Sequence, residues 1–388
     1  MKVIQIRTIK ARNYKSFRDV EINLSDFNVI IGPNSAGKSN FLSILQFFRD
    51  IINSGVENAI SLQGGLDYIL NPNDKVMEIE IVFNHKMAFN FNSTKKFDMQ
   101  AFSYKIQLEF LKNSRKLKKY KYKESLELDL KDNSKLSIYN NNGKIVMDNA
   151  LNHLFGGFIG VVAHGTSDRS ILSLIPIIPF FDRGNIPQIY DIDPKLSKRS
   201  IPISGLAELE PDGRNIALVL KDLTKNSDSL KKLISLVDVC IPFINKIDTE
   251  SLADKSILLN IKENFNKELK LPATFISDGT IEIITLIDIL FFERRNLVAI
   301  EEPEKNLHPA LLQKIMELMK EASKNKQLII TTHSPEIINY VDIKNILIIK
   351  RDKGGFSVIK KAEDDTELKY FLKENIRISQ LFSDGLLN

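Results

Sequence analysis

The chain holds one cysteine, Cys240, in 388 residues. A single thiol cannot build an internal disulfide framework and is too few for a cysteine-based zinc site. That usage fits a reducing compartment, and a cytoplasmic location is expected. Long apolar runs are also missing. The most apolar stretch, Ile171 to Phe181, is far too short to cross a bilayer and carries Pro176 and Pro179. Met1 to Arg7 reads as a charged strand and not as a secretory leader. No membrane partner is expected. Internal repeats and sustained heptads are absent, which excludes a long coiled coil. Histidines and cysteines do not cluster in the way a metal-dependent nuclease of the zinc type requires.

What is present is ordinary for a globular protein, with 43% hydrophobic and 27% charged residues in a length suited to two or three domains. The net charge of +5 is modest, but its distribution is uneven. From Lys112 to Lys123 there are seven Lys or Arg in twelve residues and no acid. Phe102, Tyr104, Phe110, Tyr120 and Tyr122 lie within and around this run. Basic residues interleaved with aromatics can track a phosphate backbone and stack on bases, which would make DNA a partner through residues 112–123. A solvated turn between strands Ser103–Leu111 and Lys119–Leu130 explains the same residues and is the better account of the aromatics.

The stretch that organises the chain is Gly32-Pro33-Asn34-Ser35-Ala36-Gly37-Lys38-Ser39, followed by Asn40. It reads G-x-x-x-x-G-K-S, with the apolar run Phe27–Ile31 before it and an apolar helix over 40–53 after it. A strand, a glycine turn and a helix start make backbone N–H groups converge on an anion. Lys38 would reach the β and γ phosphates, and the Ser39 hydroxyl would take one Mg²⁺ position. Later, Leu297–Ile300 leads into Glu301-Glu302-Pro303. Glu301 is assigned to the metal, and Glu302 to general-base or water-positioning work. Gln327–Thr331 delivers Thr332, His333 and Ser334 at another strand end, where His333 can meet the γ-phosphate or the attacking water. Ser277-Asp278-Gly279-Thr280 opens an apolar helix over 281–292 and offers a second anion-binding N-terminus, suited to a partner subunit's nucleotide.

The order of these motifs, with I-E-E-P-E-K-N-L-H-P and T-T-H-S-P at the end, resembles the ABC-type ATPase heads of the RecF, SMC and OLD-like group. Within that group it is similar to compact predicted ATPases of prokaryotic defence operons. The resemblance covers residues 1–60 and 205–388, including Glu210 to Asn215 and the tail Leu381 to Leu387. It implies a Walker A loop at Gly32–Ser39, a Q-loop glutamine at Gln63 shared by nucleotide and metal, and a signature at Ser277, Asp278 and Gly279. It further implies Walker B at Glu301 and Glu302, a D-loop at Asn306-Leu307-His308, and a switch at His333. Two positions depart from the wider pattern. Glu301 replaces an aspartate, and Asp278 replaces a glycine. About fifty-five residues follow His333, too few for the TOPRIM domain of OLD nucleases.

The expected fold is α/β, an ABC-ATPase-type P-loop head with a β-rich N-terminal lobe and an inserted helical subdomain. The expected division is 1–84 with Walker A, 85–204 as a β-rich and irregular insertion, 205–273 as the helical subdomain, and 274–388 with the remaining motifs. The resemblance implies ATP and Mg²⁺ as cofactors and a homodimer or higher even-numbered homo-oligomer closed by ATP. It also implies a separately encoded nuclease or toxin-like effector. A self-contained nuclease is the alternative, its site hidden in 85–200 and built on Asp182, Arg183, Asp191 and Asp193. A proline-flanked loop is the commoner explanation of those acids.

Overall fold

Alternating apolar and polar residues in the first third of the chain produce strands with one buried face. In the computed structural model, the residues described are 4–71, 74–91, 95–111, 120–149, 151, 170–174, 183–203, 208–366, 368 and 378–383. Strands β1 (Gln5–Tyr14) and β2 (Phe17–Asn23) form a hairpin, and β3 (Phe27–Ile31) leaves it for a different sheet. After the long helix α1 (Lys38–Leu62) come β4 (Val76–Phe91), β5 (Lys95–Phe110), β6 (Tyr120–Leu130), β7 (Lys135–Asn141) and β8 (Lys144–Met147). These pair in the order β2-β1-β4-β5-β6-β7-β8 as an antiparallel sheet. The Asn140–Gly143 turn joins β7 to β8, with Asn142 and Gly143 both at positive φ as a tight hairpin demands.

The second sheet is mostly parallel and runs β17-β16-β3-β15-β14-β9, where β9 is Gln188–Tyr190, β14 Leu297–Glu301, β15 Gln327–Thr331, β16 Ile346–Arg351 and β17 Ser357–Lys361. Its strands are near-continuous apolar runs because both faces are covered. Val29, Ile31, Val298, Ile300, Leu328 and Ile330 enter one core with α2 (Ile216–Leu223), α3 (Ser227–Cys240), α4 (Asp278–Phe291) and α5 (Pro309–Ala322). Ile30, Ala299 and Ile329 enter the opposite core, with α1 and the antiparallel sheet. Helix α1 therefore lies between two sheets and is apolar on most of its circumference. It starts at Lys38 and extends beyond the expected 40–53, breaking at Gly55, whose φ of 82° no helix allows.

Two regions differ from expectation. A helical subdomain was expected over 205–273, but helix ends at Cys240, and β11 (Ile244–Ser251), β12 (Ser256–Glu263) and β13 (Asn266–Pro272) follow as antiparallel strands with β10 (Ile201–Pro202). Buried Ile257, Leu259 and Ile261 alternate along β12, a period of two where helix was read. The division at 84/85 falls inside β4, which pairs with β1 on one side and β5 on the other. The irregular stretch before residue 205 also supplies β9, a member of the parallel sheet.

Phe48 of α1 packs on Phe83 and Tyr104, ring centroids 5.6 and 5.5 Å apart, and so ties the phosphate-loop helix to the antiparallel sheet. Phe48→Ala should cost about 3–5 kcal/mol by leaving a cavity at a fully buried site. Urea unfolding checks this, and a loss below about 1 kcal/mol would mean the two layers do not share a rigid core.

Candidate active site

Parallel pairing puts four strand ends at one edge of the sheet. Thr331 stands beside Ile30 and Glu301, and Tyr190 stands beside Ile300. The residues that follow each strand, Gly32, Glu302, Thr332-His333 and Asp191, consequently share that edge.

The loop from Gly32 to Ser39 curls because two positions exclude a side chain. A Cβ on Gly32 would stand 2.1 Å from the Ile349 carbonyl oxygen, and one on Gly37, at φ 118°, would stand 2.3 Å from Ser357 Oγ. The loop is braced from outside by the β16–β17 hairpin. Arg351 donates to the Ser35 carbonyl through Nε at 3.0 Å and Nη2 at 2.8 Å, and Ser357 Oγ donates to the Ala36 carbonyl. Asn40 Nδ2 donates to Ser16 Oγ at 2.8 Å. Neither Arg351 nor Ser357 carries a sequence signal for this work, since each meets the loop from more than 300 residues away.

Lys38 turns back over its own loop. Its Nζ donates to the carbonyls of Gly32 at 2.7 Å and Pro33 at 3.0 Å and to His333 Nδ1 at 3.3 Å. Burial pushes its pKa down to about 8, against the pull of Glu302, Glu301 and Glu304. Ser39 Oγ donates to Glu301 Oε2 at 3.1 Å. Burial raises the Glu301 carboxyl, with Ser39 opposing. His333 Nε2 faces Glu302 Oε1 at 3.4 Å. Burial first, then Lys38, lowers the His333 pKa. A neutral ring that accepts at Nδ1 from an ammonium and directs Nε2–H at a carboxylate satisfies both neighbours.

Lys38, Ser39, Glu301, Glu302 and His333 are thus brought together. Gln63 is not joined to them. It caps α1, where its Oε1 accepts from Lys15 Nζ at 2.8 Å and its Nε2 reaches Asp50 at 3.5 Å. Ser277 caps α4, its Oγ accepting from Thr280 N at 3.1 Å. Asp278 forms an ion pair with Lys198, which offsets the carboxylate at the position the wider pattern gives to glycine. Gly279 lies against the Asn306 carbonyl, where a Cβ would come to 2.6 Å.

Glu304 is a site residue that sequence reasoning missed. Its Oε1 accepts from Thr332 Oγ1 at 2.5 Å and from the His333 N–H at 3.2 Å, which fixes the turn presenting the imidazole. Its Oε2 is buried and has no hydrogen-bond partner among the described residues. Among the acids considered for a nuclease, Asp191 bonds Lys305 at 3.1 Å and Asp193 caps the turn Pro194–Ser197 through Lys195 N at 3.0 Å. Asp182 lies outside the described residues. Among the described residues, no group of three or more His, Cys, Asp or Glu could hold a metal ion. Phe102, Tyr104, Phe110 and Tyr122 are buried in the core, so base stacking on them is excluded, while 112–119 of the basic stretch lie outside the described residues.

Comparison with known proteins bears on the fold and the family. A family model described as an AAA ATPase domain matches residues 4–154. A second, described as an AAA domain, putative AbiEii toxin, Type IV TA system, matches residues 161–339. The chain is 39% identical over 54 residues to the Retron Ec83 probable ATPase of Escherichia coli, covering 14% of the chain and 10% of that protein. It is 35% identical over 134 residues to Endonuclease GajA of Bacillus cereus, covering 25% of the chain and 18% of that protein. The chain therefore matches less than a fifth of these curated relatives. A crystal structure of an SMC head bound to the C-terminal winged-helix domain of ScpA shares the fold, with a TM-score of 0.50 at 16% identity over 92% of the chain and 97% of that chain. No helix among the described residues is long and apolar enough to cross a membrane.

One buried acid gives the site a pH signature. Glu282 of α4 is 2% exposed, and burial lifts its pKa to about 8, with Asn306 and Lys305 opposing and Asp191 and Asp193 adding to the rise. Between its ordinary 4.5 and about 8 the folded chain holds this proton and the unfolded chain does not. Its contribution to stability is therefore present at low pH and lost as pH rises through that window. Glu282→Gln should flatten the decline and make the chain relatively more stable at pH 8 than at pH 5, read from urea midpoints. Parallel wild-type and variant curves would mean that Glu282 is ionised in the folded chain.

Proposed function

We propose that the chain is an ABC-type ATPase head of the RecF/SMC/OLD-like group, a reading supported by its two AAA-domain matches and its SMC-head-like fold, and that it binds ATP with Mg²⁺ and hydrolyses it slowly. The observation that carries this reading is the convergence of Lys38, Ser39, Glu301, Glu302 and His333 on one strand edge. The residues fit a magnesium nucleotide. Lys38 spends its donors on loop carbonyls that a phosphate can replace, and Gly32 and Gly37 let the loop curl tightly against Ile349 and Ser357, where a Cβ would clash. Ser39 and Glu301 form the pair that would hold the ion, and bound Mg²⁺ would neutralise phosphate charge beside Lys38. Glu302 orients the attacking water and takes its proton, and His333 bridges that carboxylate to the lysine that grips the phosphates. Gln63 enters this reading only through rearrangement, since Lys15 holds its carbonyl oxygen.

The site completes itself across a homodimer, or a higher even-numbered assembly, in which Ser277, Asp278 and Gly279 of one subunit meet the nucleotide held by Lys38 of the other. Two features support it. The cap of α4 presents backbone N–H groups at a partly exposed end, and Phe275, two residues before Ser277, is 79% exposed. The ATP cycle then regulates a separately encoded effector in defence or DNA maintenance, in the cytoplasm, as the partial likeness to a retron ATPase suggests. DNA contact through 112–123 rests on charge, since Phe102, Tyr104, Phe110 and Tyr122 are buried and Tyr120 alone of the five aromatics is half-buried. A nuclease of the chain's own finds no support in Asp191 and Asp193, which are engaged elsewhere.

Lys38→Ala should abolish ATP binding, and Glu302→Gln should bind ATP but lose turnover by about a hundredfold or more, since each tenfold is about 1.4 kcal/mol of barrier. Nucleotide binding and phosphate release measure the two steps separately. Glu302→Gln at wild-type turnover would remove the base assignment. The shared site has its own test, in which Lys38→Ala chains are mixed with Ser277→Arg chains, each inactive alone. Mixed dimers hold one intact site, so partial ATPase activity should return. Full activity of Ser277→Arg by itself would show that the signature does not contribute.

A further inference from the structure

Beyond the expected motifs, a continuous series of polar contacts runs across the site. Lys38 Nζ is 3.3 Å from His333 Nδ1, His333 Nε2 is 3.4 Å from Glu302 Oε1, Glu302 Oε2 is 3.6 Å from Lys305 Nζ, and Lys305 Nζ is 3.1 Å from Asp191 Oδ1. The first three members belong to the site already described. The last two come from the D-loop turn and the end of β9, and no motif assigns them a role. We propose that Lys305, anchored by Asp191, is a positioning residue that holds the Glu302 carboxylate in its catalytic orientation.

Glu302 needs such a hold. Its backbone sits at φ 44°, a left-handed conformation that only local restraint maintains in a residue with a side chain. Its N–H bonds the Thr331 carbonyl at 2.9 Å, which fixes the backbone, and its carbonyl accepts from Lys305 N at 3.0 Å. The carboxylate then has one neighbour on each oxygen, His333 on Oε1 and Lys305 on Oε2. The surroundings are crowded with acid, because Glu301, Glu304 and Asp191 share the edge with it. Without a cation on its outer oxygen, Glu302 would be driven from that cluster toward solvent. Lys305 is kept in place by Asp191, which stands 114 residues away in sequence and reaches it only because β9 pairs beside β14. Burial works against the charge on Lys305, and Asp191 and Glu302 more than offset it, holding its pKa above the ordinary lysine value.

This inference rests on the ATPase reading. Steady-state ATPase kinetics on the full chain would compare wild type, Lys305→Met, Lys305→Arg, Asp191→Asn and the Asp191→Asn/Lys305→Met double variant, with Glu302→Gln as reference. Lys305→Met should lower kcat by about ten- to a hundredfold with KM for ATP unchanged, as loss of orientation does. Lys305→Arg keeps the cation and should recover most of the rate. Asp191→Asn should give a smaller loss, and the double variant should be no slower than Lys305→Met alone, because both changes act through one contact. Asp191 is exposed, so its variant tests the pair even if Lys305→Met unfolds. The inference is overturned if Lys305→Met turns over as fast as wild type or faster, if Lys305→Arg is as slow as Lys305→Met, or if the two losses multiply. An inactive Glu302→Gln with an unaffected Lys305→Met sinks the positioning role alone, a Glu302→Gln as fast as wild type sinks the base assignment and the positioning role with it, and a wild-type chain without ATP turnover sinks the ATPase reading itself.

Discussion

The constraint on which everything else depends is the register of the parallel sheet. β3, β15, β14 and β9 each end within one residue of the row formed by Ile30, Thr331 and Glu301, with Tyr190 paired to Ile300. A slip by one residue in any of them would turn the strand's core side chains to the opposite face. Since both faces are packed, neither slip has anywhere to put them. The groups that follow the strands are therefore placed by the packing of apolar residues in the two cores.

That edge gathers charge that would otherwise repel. Glu301 feels both Asp191 and Glu302, Glu304 feels Glu302, and Lys38, Lys305 and His333 stand among these acids. Each acid has a distinct contact. Glu301 takes the Ser39 hydroxyl, Glu302 faces His333 and Lys305, Glu304 takes Thr332 and the His333 amide, and Asp191 takes Lys305. Four carboxylates of one chemical type acquire four environments, as the proposed division into metal ligand, base and supports requires.

The two cores explain why the phosphate loop is stiff. Helix α1 is buried between the sheets through Phe41, Ile44, Phe47, Phe48 and Ile51, so its first residue, Lys38, cannot shift without disturbing the antiparallel layer. From the far side the β16–β17 hairpin holds the loop carbonyls of Ser35 and Ala36 with Arg351 and Ser357. Preorganisation of this kind lets a loop bind an anion without first losing conformational entropy.

Much of this was legible in the residues alone, and the divide follows the range over which each feature is determined. Gly32, Gly37 and Lys38 act within eight residues, where backbone sterics decide the conformation, so spacing suffices to read them. The apolar strands before Gly32, Glu301 and Thr332 are equally local. What stayed hidden was determined by pairing across long separations. Asp191 reads as a loop acid until β9 joins the sheet edge, and Arg351 reads as a hairpin charge until that hairpin closes on Ser35. Gln63 fits a motif by order, yet Lys15 and Asp50 take its amide once the β1–β2 turn folds over α1. The strands at 244–272 were read as helix because short apolar runs carry little periodicity, and burial against α2 and α3 settled them. The sequence determined which chemistry the chain can carry, because each loop's own residues set its shape. Tertiary structure decided which acid meets which cation, because that depends on register across nearly the whole chain.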